Sequence, residues 1–164
     1  MRFVLSAFLV VFIALTSVPA QASDSRVVFR HKAWELRVAA FDDGTLSCIA
    51  QVRPSNGTTF AIWADGQTVK LQFFSDMWAF GNTTGDVVAR IDRRAGWNLN
   101  SANLYKNSVI FTLPGGDPST RFLLEIARGN VIRLNHRSGQ RMGQWSLAGS
   151  RATMQKLIEC VDYL

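Results

Sequence analysis

The sequence predicts an α+β fold, an antiparallel β-meander sheet covered by two short helices and tied by one disulfide. Three observations predict it. Apolar residues alternate with period two between turn dipeptides through the first half of the chain. Two helical apolar stripes follow Gly115-Gly116. The cysteines number two, Cys48 and Cys160.

Residues 1–22 read as a cleavable secretory signal. Arg2 supplies the positive start, an apolar run extends from Phe3 to Leu15, and Pro19 breaks it. Ala20-Gln21-Ala22 offers the small residues that signal peptidase accepts before Ser23. The apolar run is short of the ~20 residues that span a bilayer. No cysteine follows the cut to carry a lipid. The expectation is one domain over residues 23–164, periplasmic or secreted, with no membrane span.

In chain order, Ala33–Ala39 alternates as a half-buried strand, and Asp42-Asp43-Gly44 marks a hairpin turn. Thr45–Val52 carries Leu46, Cys48 and Ala50 on one face, so Cys48 points inward. Pro54-Ser55-Asn56-Gly57 makes the next turn. Thr59–Ala64 and Thr68–Phe74 flank the hairpin dipeptide Asp65-Gly66. Further strands are expected over Asp86–Asp92 and Ser108–Leu113. Then Asp117 can cap a helix of about 118–128, Pro118 suits its first turn, and Gly129 stops it. Phe122, Leu123 and Ile126 form its apolar stripe. Asn130–Asn135 and Gln144–Leu147 read as two more strands. Ser150 can cap a last helix whose Met154, Leu157, Ile158 and Val161 fall at i, i+3, i+4 and i+7.

An even cysteine count in an oxidising compartment reads as one disulfide. Cys160 lies at the edge of the last helix's apolar face, within reach of Cys48 on the sheet. The spacing matches no zinc, haem or redox motif, and no cofactor is indicated.

Of the 18 Lys and Arg, only Arg2 lies in residues 1–22, which leaves 17 against 12 Asp and Glu, about +5. That balance favours an anionic partner. The arginines gather in two stretches, Arg90, Arg93 and Arg94 before Trp97, and Arg128, Arg133, Arg137 and Arg141 later. If Arg90, Arg93, Arg94, Arg133 and Arg137 share a face, they can grip phosphate or carboxylate in paired hydrogen bonds, with tryptophan stacking nearby. Trp34, Trp63, Trp97 and Trp145 are assigned to the core, whereas Trp78, beside Phe80-Gly81-Asn82, can line an aromatic groove. Nucleic-acid binding is disfavoured because no recognised motif accompanies the charge. Like charge also disfavours inhibition of cationic lysozymes.

The C-terminal run Trp145-Ser146-Leu147-Ala148-Gly149-Ser150, continued by Arg151 to Cys160, resembles the ending of small, mostly uncharacterised bacterial periplasmic proteins. In them a strand, a Gly-Ser turn and a helix ending in cysteine follow one another. Phe122–Leu134 is similar to what precedes that ending. The resemblance covers about 45 residues. It implies an exported bacterial protein and carries over no catalytic residue.

Catalytic sets are scarce. His31 and His136 lack any H-x-x-x-H spacing and sit in no nucleophile elbow, so neither a metal site nor a Ser-His-Asp triad is indicated. Asp42-Asp43 belongs to a turn. Asp76, among Phe73, Phe74 and Trp78, would gain a raised pKa only if desolvated, and Glu125 projects away from the first helix's apolar stripe. Gly115–Thr120 precedes a helix N-terminus but lacks the Lys-Ser/Thr of a P-loop. The leading expectation is a non-enzymatic binding or accessory protein with a basic face for an anionic envelope component or an acidic protein. A small hydrolase using Asp76 or His136, and a secreted inhibitor or effector, are the alternatives.

Overall fold

The structure is a computed structural model that describes residues 22–164. Ten strands alternate with turns: β1 (Ala22–His31), β2 (Trp34–Phe41), β3 (Leu46–Val52), β4 (Thr58–Ala64), β5 (Val69–Ser75), β6 (Phe80–Ile91), β7 (Trp97–Lys106), β8 (Ser108–Thr112), β9 (Val131–His136) and β10 (Arg141–Ser146). Helix α1 (Gly116–Arg128) follows β8, and α2 (Ser150–Val161) follows β10. The expected signal segment lies outside the described residues except for Ala22. A cut before Ser23 would spare all of β1 but its first residue.

All ten strands join one antiparallel sheet in the order β1-β2-β3-β4-β5-β8-β7-β6-β9-β10. The meander predicted for the first half runs unbroken from β2 to β5, and β1, which the sequence reading does not contain, extends it at the edge. After it the chain crosses over, lays down β6, and returns through β7 and β8 to pair with β5. Inward residues of β2 to β5 (Trp34, Leu36, Cys48, Ala50, Phe60, Ile62, Leu71 and Phe73) are buried, as the alternation requires.

The sheet curls so that β10 approaches β2, β4 and β5 across the core. The Trp34 indole N–H donates to the Ser146 carbonyl at 3.0 Å, joining β2 to the end of β10. Phe60 and Phe73 stack at 4.8 Å between centroids, and the Trp145 ring lies 5.3 Å from Phe73. Phe122 and Ile126 of α1 and Met154 and Leu157 of α2 complete this core.

The bridge forms as expected. Cys48 on β3 and Cys160 on α2 are disulfide-bonded with Cα atoms 6.2 Å apart and a sequence separation of 112. The helix starts differ from the sequence reading. Gly115 and Gly149 are the N-caps, and neither helix start has a side-chain cap. Asp117 instead sits in the first turn of α1, where its charge favours the helix dipole. The buried Ser150 hydroxyl donates to the Ile126 carbonyl at 2.9 Å and so ties α2 to the end of α1. Ile158 lies outside the buried stripe, 62% exposed, because the sheet meets only the Met154–Leu157 side of α2. Among the described residues, no helix is long and apolar enough to cross a membrane.

Candidate anion-binding surface

Strands β6 and β9 are separated by β7, β8 and α1 in sequence, yet they pair directly. In their register Arg90 stands opposite Arg133. Val87, Ala89 and Ile91 on β6 and Ile132 and Leu134 on β9 are buried, so period two sends both arginines to the outer face. Directly opposed residues have Cα atoms about 4.5–5.5 Å apart, and like charges so placed repel. Arg133 is anchored, its Nη1 donating to the Asp92 carbonyl at 3.1 Å. The Arg90 guanidinium extends over Gly96, where a Cβ would lie 3.8 Å from Nη2. Among the described residues it has no hydrogen-bond or ion-pair partner.

The turn after β6 adds Arg93 and Arg94, both exposed. Asp92 begins it with φ 52°. Its carboxylate accepts the backbone N–H groups of Asn130 at 3.1 Å and Val131 at 3.0 Å, so its lone pairs are directed at the start of β9. Arg94 donates to the Glu125 carbonyl at 3.1 Å, drawing the turn onto α1. Beside this turn lies a depression of about 350 Å³ lined by Ala95, Gly96, Trp97, Arg121 and Glu125. The Trp97 indole donates to the Glu125 carboxylate at 3.0 Å and packs on Phe122 at 4.9 Å. The Arg121 guanidinium covers the same ring at 5.0 Å. Arg90 and Arg133 lie on the outer face and Arg93 and Arg94 on the adjoining turn, whereas Trp97 pairs with buried Ala89 and so turns, with Arg121 and Glu125, to the α1 side.

Arg137 is not part of this group. It lies four residues beyond Arg133, about 13 Å along the strand direction, and forms an ion pair with Asp86. The Ser101 N–H and Arg137 hold the Asp86 carboxyl below its ordinary range. Sequence order suggested one face, but the bond to Asp86 holds Arg137 at the opposite end of the β6–β9 pair. Trp78 is half-buried, its ring 5.5 Å from Phe80 and packed against the core.

The candidates for catalysis resolve into turns. His136 Nδ1 lies 3.1 Å from the Ser138 hydroxyl and 3.3 Å from the Ser138 N–H, the arrangement of a side chain closing its own hairpin. Asp76 is exposed, and its N–H donates to the Gly57 carbonyl at 3.1 Å. His31 is exposed and stacks on Phe29 at 6.4 Å. Among the described residues, no three His, Cys, Asp or Glu side chains gather as a metal-holding group.

Arg121 and the role of Glu125 do not show in the sequence pattern alone. Their i, i+4 spacing places both on one side of α1, the side that meets Trp97. Trp63 lies outside the main core, because buried Phe60, Ile62 and Ala64 take the inward positions of β4 and turn it outward.

Comparisons with known protein families, with curated proteins and with solved structures found no match.

Proposed function

We propose that the chain is an exported, non-enzymatic binding protein that docks a phosphate- or carboxylate-bearing envelope component on the arginine surface of β6, β9 and the 92–96 turn. The observation that carries this reading is the pairing of Arg90 with Arg133 across an exposed ladder. Two like charges held opposite one another cost stability when empty, and a bound anion relieves that cost. Guanidinium forks match phosphate and carboxylate oxygens in bidentate geometry. Export is supported by the signal-like residues 1–22 and by the Cys48–Cys160 bridge, a bond that persists in oxidising compartments.

The test is capture on immobilised polyphosphate, polyglutamate and neutral dextran. Retention on polyphosphate, lost in an Arg90→Gln/Arg133→Gln double variant, supports the reading. Retention on polyglutamate alone redirects it to an acidic protein partner. Equal behaviour of wild type and double variant on all three overturns it.

A further inference from the structure

We infer that the outer face of β2 to β5 carries a second site, for a neutral linear oligosaccharide, with Trp63 as its stacking platform. The outward residues of these strands are Arg37, Ile49, Trp63 and Lys70 in one cross-strand row and Glu35, Gln51, Ala61 and Gln72 in the next. The Trp63 indole N–H donates to the Gln72 Oε1 at 2.9 Å. Gln72 faces Ala61 across the ladder, so the indole leans along the sheet over that small side chain. Ala61 is accordingly 1% exposed although it points away from the main core. Phe41 flanks the ring at 6.3 Å, and Gln72 is itself held by a bond to the Ser108 hydroxyl at 3.0 Å. The indole is half-buried on the outer side of the sheet and held by contacts that no ligand has to supply.

Depressions of about 630 Å³ and 490 Å³ lie on opposite sides of this ring along the strand direction, and Trp63 lines both. A ligand running from one to the other must cross the indole, which is why a linear molecule fits. The first holds Asp43, Asp65 and Lys70, the second Arg53, Gln72 and Asp76. Asp43 and Asp65 are held ionised by hydrogen bonds within their own turns, from the Thr45 hydroxyl and the Thr68 N–H first.

Three carboxylates against two cations do not attract an anion, so the ligand differs from the one proposed for Arg90 and Arg133. Mixed donors and acceptors around an apolar plate match a pyranose. Its C–H face meets the negative π-face of the indole, and its hydroxyls meet the polar rim.

The test is titration of the disulfide-bonded protein with cellohexaose and chitohexaose, followed by calorimetry and by the Trp63 indole N–H resonance. At least one should bind with a Kd of ~1 mM or tighter and shift that resonance. The two sugars distinguish plain from N-acetylated hexoses. Trp63→Ala should weaken binding at least ~10-fold, whereas Arg90→Gln/Arg133→Gln should leave it unchanged. Because Trp63 also covers Ala61, its replacement can lower stability, and the wild-type resonance decides independently. A resonance that does not move at saturation, or no binding of either sugar at millimolar concentration, overturns the inference.

Discussion

Phe73 on β5 and Trp145 on β10 pack with ring centroids 5.3 Å apart, although four strands separate theirs in the sheet. The contact exists because the sheet curls. Both rings are almost fully buried, and Phe60 stacks on the first of them. Deleting a buried aromatic ring removes its transfer free energy and leaves a cavity that a tightly curled sheet refills poorly. Phe73→Ala should therefore cost about 3–5 kcal/mol, read as a lower denaturant midpoint. A loss under ~1 kcal/mol would mean that the sheet ends do not depend on this contact.

The disulfide joins the last helix to β3 across a sequence separation of 112. Closing so long a loop in the unfolded chain is worth roughly 4–5 kcal/mol in the chain-entropy account. For a domain of this size Cys160→Ser should lower the melting temperature by roughly 10 °C. Cys48 lies within the core, so Cys48→Ser would add a buried hydroxyl and confuse the comparison. Reduction of the wild-type protein should reproduce the Cys160→Ser value. An unchanged melting temperature in both cases would show that α2 docks without the staple.

Acid should destabilise the fold from a defined point. Burial raises the Glu35 carboxyl, but hydrogen bonds from Gln51, Arg37 and Arg30 and the Arg37 charge outweigh it and leave it below its ordinary 4.5. The Thr68 N–H holds Asp65 below its ordinary 3.8 in the β4–β5 turn. A carboxyl depressed in the folded state contributes stability above its unfolded value and loses it as pH falls through the folded one. Melting temperature should thus fall as pH drops below the ordinary values, and Glu35→Gln should flatten part of that decline. A melting temperature that rises between pH 5 and pH 3 would contradict the assignment.

Much of the fold was legible because turn chemistry and period two agreed from β2 to β5. Two strands were not. In β7 the buried residues shift from odd to even positions, Leu99 then Ala102, across Ser101, which has φ 56°. That break, among Asn98, Asn100 and Asn103, reads as loop in any short window. In β1 charges separate the apolar positions, as suits a sheet edge. The candidate site was half legible. Arginine clustering could be counted, but the meeting of Arg90 and Arg133 depends on the β6–β9 pairing, which follows from the crossover after β5. Trp63 carried a usable signal, since Phe60, Ile62 and Ala64 already claimed the inward positions of its strand.

Under the proposed function, Arg90 and Arg133 act together as an anion clamp. Guanidinium and ammonium carry the same charge, but only the former offers a planar fork. The most direct measurement is the affinity for polyphosphate of wild type and of an Arg90→Lys/Arg133→Lys double variant, at low and high salt. The Debye length shrinks from about 10 Å at 0.1 M to about 3 Å at 1 M, so binding through exposed charges should weaken steeply. A clamp of two guanidinium forks should give salt-sensitive binding by the wild type and an affinity about 10-fold lower in the lysine variant at 0.1 M. Equal affinity in the two proteins, or binding indifferent to salt, would contradict it.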